Sequence, residues 1–244
     1  MMQVPEFHTL AQACEFYFVR HGESESNADG RIQGHNDSSL SKLGLDHAEA
    51  AGSWFSDRKI DAILTSPLSR AHQTAAAIAR HTGLGEPEPM PELMELDTGI
   101  LSGTRLADLP ATDEALYRRF RVHSWEVVPE AERIESLQAR ARVVWSRLIE
   151  LAHEGRRRIV CVSHGGMIQW LIKATIGSDD QKWMPLFKVS NCGIFLFRAE
   201  STLPDEPAAV ASDVSADASD GTTDTPLPGT GYYGSWVHMN LVPY

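Results

Sequence analysis

Arg20 and His21, followed by Gly22, end the apolar run Phe16-Tyr17-Phe18-Val19. A second histidine ends a second such run: His164, with Gly165 and Gly166, comes after Ile159-Val160-Cys161-Val162-Ser163. A further arginine, Arg70, stands in the stretch TSPLSRAHQTA. Guanidinium forks grip oxyanions in bidentate fashion. Glycines let backbone amides approach a bound group closely. Imidazole adds what a pure binding site does not need, a nucleophile able to attack phosphorus. These residue types together describe a phosphate site that performs phosphoryl transfer. Such a reaction also needs a proton for the departing oxygen. The loop PELMELDTGILSG offers Glu95 and Asp97, and the residues alone leave that choice open.

The elements that must position these groups are readable from periodicity. Strand-like runs cover 15–19, 60–65, 158–163, 193–197 and 235–242. Between them lie helical patterns over 43–55, with Ser41 placed to cap it, over the alanine-rich 68–82, and over 166–175. The segment 132–153 sets Ile134, Leu137, Ala141, Val144, Trp145, Leu148 and Leu151 at spacings of three and four, an amphipathic helix. Strand and helix in alternation predict βαβ units, hence an α/β fold of three layers, αβα, around a mostly parallel central sheet. In open sheets of this kind ligands bind beyond the carboxyl ends of strands, where Arg20, His21 and His164 fall. Ser66 reads as a helix cap with Pro67 at the first helical position. Arg70 then lies in the first turn, where the helix dipole disfavours a cation unless an anion is near.

Two segments break the rhythm. Residues 86–128 open with the proline-rich EPEPMPEL, carry a helical stretch around 113–121, and read as a cap over the site. Residues 201–231 are acidic, rich in Asp, Ser, Thr, Ala and Pro, and read as a flexible loop. The strand after them is expected to pair with 193–197 as a hairpin.

The chain of 244 residues carries 22 Lys and Arg against 33 Asp and Glu, a net charge of −11. That balance argues against a nucleic-acid partner. The three cysteines, Cys14, Cys161 and Cys192, sit beside apolar runs in no metal-ligand spacing and read as buried thiols. The N-terminal stretch has neither a basic n-region nor a long apolar segment, so a soluble cytoplasmic protein with no membrane partner is expected. The sequence is compatible with a homo-oligomer.

The chain resembles the histidine phosphatase superfamily, the phosphoglycerate-mutase-like family, from about residue 16 to 191. Arg20, His21, Gly22, Ser24 and Asn27 match its first motif. Gln33, Gly34, Asp37, Leu40, Ser41 and Gly44 match its second. SPLSRAHQTA, ELDTGILSG and VSHGG match three more. The resemblance implies a single domain over 1–244 with a phosphoglycerate-mutase-like fold. It also implies roles: His21 as the phosphorylated nucleophile, Arg20, Arg70 and His164 as holders of phosphate oxygens, and Glu95 as the acid. Ser24, Asn27, Gln33, Gly34 and Gly165 are implied substrate contacts. No cofactor and no metal are implied.

Three functions compete: a phosphatase of small phosphorylated metabolites, a bisphosphoglycerate-dependent mutase, and a non-catalytic phospholigand-binding protein. The filled catalytic positions disfavour the last. The mutases of the family carry Arg-His-Tyr-Gly after the acid, where this chain has Leu96-Asp97-Thr98-Gly99, which disfavours the second. Substrate choice is expected from 86–128, with Arg105, Phe120, Arg121 and Trp125 as unranked candidates. His35, next to Gln33-Gly34, is a further candidate substrate contact.

Overall fold

The computed structural model describes residues 5–176, 188–200 and 234–244. In chain order the elements are β1 (Cys14–Arg20), α1 (Glu25–Ala28), α2 (Lys42–Phe55), β2 (Ala62–Thr65), α3 (Ser69–Thr82) and β3 (Glu88–Pro89), then α4 (Leu109–Thr112), α5 (Glu114–His123), α6 (Ile134–His153), β4 (Arg158–Ser163), α7 (Gly165–Thr175), β5 (Ile194–Ala199) and β6 (Gly234–Leu241). The acidic stretch 201–231 lies outside the described residues.

Among the described residues one six-stranded sheet forms, in the order β3-β2-β4-β1-β5-β6. Strands β3, β2, β4 and β1 run parallel, while β5 and β6 pair antiparallel as the expected hairpin. Side chains alternate across the pleat. Phe16, Phe18, Ile159 and Cys161 enter one core with Trp145 and Leu148 of α6 and Trp170 of α7. Tyr17, Val19, Val160 and Val162 enter another with Phe55 of α2 and Ala71, Ala75 and Ile78 of α3. Helices therefore cover both faces, as an α/β sandwich requires. All three cysteines are buried and free.

Strand β3 is not expected from the sequence: it is only two residues long and includes Pro89, too short for a periodic signal. One reading of local structure needs correction. Helix α3 does not start at Ser66-Pro67. Its N-cap is Leu68, which has no side-chain bond, and its first residue is Ser69. Asp37 supplies the cap from another loop. Its carboxylate accepts from the Ser69 backbone N–H at 2.8 Å and from the Ser69 hydroxyl at 2.5 Å. Ser66 Oγ accepts from the Leu68 N–H at 3.3 Å and also contacts a histidine of the candidate site.

The segment 86–128 gathers a small core of its own, in which Leu101, Leu109, Leu116 and Val128 pack with Ile32, Phe120 and Trp125. Phe120 and Trp125 meet edge to face at 5.1 Å between centroids, so both serve packing here. Arg121 is bonded by way of Nη1 to the Tyr117 hydroxyl on the exposed face of α5.

Candidate active site

The register of the sheet builds the site. Arg20 of β1 is paired with Ser163 of β4, so the next residues, His21 and His164, leave the sheet side by side. Their ring centroids are 5.0 Å apart. On the other flank of β4, Thr65 is paired with Val162, which brings Ser66 beside the same end. Three residues at the ends of three strands thus meet at one edge.

His21 is 2% exposed. Its Nδ1 donates to the Gly22 carbonyl oxygen at 2.6 Å, which leaves the lone pair on Nε2. Burial first, then the charges of Arg20 and Arg70, hold its pKa well below the usual histidine value. The ring is neutral, with a free Nε2 lone pair in an electropositive setting. His164 is fully buried and likewise held neutral by burial, then by His21 and the two guanidiniums. Its Nε2 lies 2.8 Å from Ser66 Oγ, and its Nδ1 has no partner.

The two arginines are anchored by backbone carbonyls at one end and open at the other. Arg20 Nη1 donates to Val189 O at 2.5 Å. Arg70, 1% exposed, donates from Nη1 to Asn36 O and from Nη2 to Gly34 O, at 3.0 and 2.9 Å. In both, Nε is buried without a partner. Burial lowers the pKa of each arginine, and the Glu95 carboxylate works against that lowering in both. Buried donors are almost always paired, so the two orphan guanidinium nitrogens, whose charges both bear on His21, are suited to hold an anion. The first turn of α7 adds to it, for Gly165 lies against the side chain of Arg20.

Glu95 faces this cage. Its carboxylate accepts from the N–H groups of Leu96, Gly166 and Met167 at 3.0 to 3.3 Å, so it rests on the N-terminus of α7. Gly166 lies close under this carboxylate: a Cβ there would stand 2.5 Å from Glu95 Oε1 and would displace it. Asp97 points elsewhere. Its Oδ1 accepts from Gly99 N–H at 2.9 Å, closing the loop on itself. His35 touches the acid loop rather than the cage, with Nε2 2.8 Å from Glu95 O and Nδ1 3.9 Å from Asp97.

The remaining expected contacts form a supporting lattice. Ser24 is fully buried, donates to Gln33 Oε1 at 2.9 Å and accepts from Asn27 N–H, capping α1. Its hydroxyl is engaged within the fold. The carbonyl of Gly34 is committed to Arg70 in the same way. Asn27 Oδ1 accepts from Ser24 N–H and from Asn191 Nδ2.

Sequence reasoning missed three residues that hold the cage. Thr74 accepts from Gly22 N–H at 3.0 Å and donates to Arg70 O at 2.8 Å. Asn191 donates to the His21 carbonyl at 3.1 Å. Ser66 holds His164. Thr74 falls inside a motif stretch and was accessible to that signal; Asn191 had no local signal.

Comparison with known proteins fits this geometry. The family model of the histidine phosphatase superfamily (branch 1) matches residues 16–205. The chain belongs to that superfamily. Over 182 residues it is 32% identical to a probable phosphoglycerate mutase, GpmB, of Erwinia tasmaniensis, covering 74% of this chain and 82% of that one. Over 193 residues it is 32% identical to a 2-carboxy-D-arabinitol-1-phosphatase of Triticum aestivum, covering 78% of this chain and 38% of that one. The fold is similar to a mycobacterial glucosyl-3-phosphoglycerate phosphatase solved with VO3, with a TM-score of 0.67, 28% identity, and coverage of 75% and 90%. The superfamily neighbours of this chain thus include both phosphatases and mutases. No helix among the described residues is long and apolar enough to cross a membrane.

Proposed function

We propose that the protein is a phosphatase that hydrolyses a small phosphorylated metabolite through a phosphohistidine intermediate. The observation that carries this reading is the set of buried, partnerless nitrogens, Arg20 Nε, Arg70 Nε and His164 Nδ1, around a neutral His21. The substrate phosphate completes those three bonds. Nε2 of His21 attacks phosphorus, the P–N bond forms and the ester P–O bond breaks. Glu95, which takes up a proton as the anionic phosphate comes to rest beside it, gives that proton to the departing oxygen, which leaves as an alcohol. Glu95, now a carboxylate, takes a proton from water; the oxygen attacks phosphorus, the P–N bond breaks and phosphate leaves. His21 returns to its neutral form. Arg20 and Arg70 stabilise the charge on the transferring group. Because they supply this positive charge, turnover is expected without a divalent metal.

Phosphatase is favoured over mutase by the residues after the acid. Leu96 and Thr98 are buried in the loop, Thr98 bonded to Ser102, and Asp97 is turned to Gly99. None of the three offers a group to a glycerate end. Specificity is assigned to the cap segment 86–128. The test is phosphate release from a panel of phosphorylated metabolites, with and without 2,3-bisphosphoglycerate, together with acid quenching to trap phospho-His21. Isomerisation of phosphoglycerate that depends on the bisphosphate and outpaces hydrolysis would replace this reading with the mutase.

A further inference from the structure

Arg140 lies on α6, and its side chain is 17% exposed. All five of its N–H groups are used. Nε donates to Glu132 Oε1 at 2.8 Å and Nη2 to Glu132 Oε2 at 2.5 Å, a forked pair. Nη1 donates to the carbonyls of Glu92 and Met94 at 3.0 and 2.7 Å, and Nη2 to that of Glu95 at 3.4 Å. The guanidinium therefore holds the chain up to and including Glu95. Glu132, with its side chain 11% exposed, holds the far side of the acid at Asp97. Its Oε2 accepts from Asp97 N–H at 3.3 Å, and its own N–H donates to Asp97 O at 2.9 Å.

A half-exposed loop does not need a largely buried ion pair for stability. Apolar replacements of such pairs are often neutral or stabilising, because two desolvated charges are costly. What this pair supplies is a fixed backbone on both sides of one carboxylate. Proton donation works only within hydrogen-bond reach of the leaving oxygen. A small displacement of Glu95 costs rate while the phosphate cage of Arg20, Arg70 and His164 stays whole.

We propose that Arg140, locked by Glu132, is a positioning residue for the acid: it sets where Glu95 stands over the leaving oxygen and touches no substrate atom. The inference rests on the assignment of Glu95 as that acid. It makes a demand that a merely structural role does not, since its effect must depend on the leaving group and must pass through Glu95.

The experiment compares kcat/KM for an alkyl phosphate and for p-nitrophenyl phosphate in four enzymes: wild type, Glu95→Gln, Arg140→Met and the double variant. Arg140→Met is expected to lower the alkyl ester by about tenfold or more beyond its effect on the aryl ester, whose phenolate leaves with little help. In the Glu95→Gln background the same change should add less than about twofold, since the two act as one unit. Inhibition by vanadate, which reads the phosphate cage, should stay within about threefold. Circular dichroism checks the fold. If Arg140→Met does not fold, Glu132→Gln takes its place; it keeps the arginine, loosens the lock, and should give the same selective loss. Equal losses for both esters, or effects that multiply in the double variant, would overturn the proposal while leaving Glu95 as the acid. If Glu95→Gln itself shows no leaving-group dependence, the acid assignment fails, and this inference falls with it.

Discussion

Ser66 Oγ stands 2.8 Å from Nε2 of His164, and this contact decides which nitrogen of the second histidine faces the phosphate cage. With Nε2 engaged, Nδ1 is the buried nitrogen left over. Ser66→Ala removes the anchor. The ring can then turn or change tautomer, at a cost of about 1 kcal/mol for the lost bond. Vanadate and phosphate should bind about fivefold more weakly, with kcat/KM reduced to match, and the thermal midpoint should move little. Unchanged inhibitor affinity would show that the hydroxyl does not orient His164.

His21→Ala should leave a folded protein with no phosphoenzyme. No neighbouring group replaces the nucleophile, because His164 has its free nitrogen on the holding side of the cage. Turnover of p-nitrophenyl phosphate below about 1% of wild type is the expected outcome, as for other covalent nucleophiles. Acid-quenched labelling with 32P-substrate should give signal in wild type and none in the variant. Labelling that survives the substitution would move the nucleophile elsewhere.

Acid should destabilise the empty enzyme through its two neutral histidines. Burial foremost, then Arg20 and Arg70, lowers the pKa of His21; His164 is lowered by burial, then by His21 and the arginines. Histidine in the unfolded chain titrates near 6.5. As pH falls through that value the unfolded chain takes up protons that the native site refuses, so folding stability falls with pH. The loss is about 1.4 kcal/mol per such histidine per pH unit below 6.5. Denaturant melts at pH 7.5 and 5.5 should show a smaller drop in His21→Gln than in wild type. Equal drops in the two would mean that His21 does not resist protonation.

Gly166→Ala should act on the acid. Its Cβ would stand 2.5 Å from Glu95 Oε1 and 2.5 Å from Leu96 Cδ2, so the carboxylate has to leave the N-terminus of α7. Alkyl phosphate turnover should fall by at least about tenfold more than aryl phosphate turnover. A loss shared equally by both esters would place the damage in α7 or the phosphate cage instead.

Metal dependence tests the division of labour. If Arg20 and Arg70 supply the positive charge, dialysis against EDTA should leave kcat/KM within about twofold, and added Mg2+ should not raise it. Activity lost to EDTA and restored by a divalent ion would contradict the proposed mechanism.

Much of this site was readable along the chain, for reasons that are local. A strand end, a glycine after a histidine and a helix start are each signalled within a few residues. That is why strand 158–163 appears in the structure with the expected bounds, why Ser41 caps α2 through a 3.0 Å bond from Gly44 N–H, and why Arg70 lies in the first turn of its helix. Motif order then carried the family, and His21, Arg20, Arg70 and His164 do converge.

Where local signals ran out, partners distant in sequence took over. Ser66 reads as a helix cap, and its hydroxyl does accept from Leu68 N–H, but it also holds a histidine 98 positions away, and Asp37 caps Ser69 from 32 positions away. Glu95 and Asp97 are equivalent by type; their difference comes from α7, whose amides meet one carboxylate, and from Gly99, which occupies the other. Arg140 carries no motif signal of its own; only in the folded chain do its five N–H groups meet the acid loop and Glu132. By itself, then, the sequence determined which chemical groups are present and which strand and helix ends carry them, since turn chemistry and periodicity act over one or two turns of chain. Only the tertiary structure decided which nitrogen of His164 is left without a partner, which carboxylate rests on α7 and which hydroxyl holds the second histidine, since those depend on the pairing of Arg20 with Ser163 and of Thr65 with Val162. Contacts across such distances exist only once the sheet has closed its register.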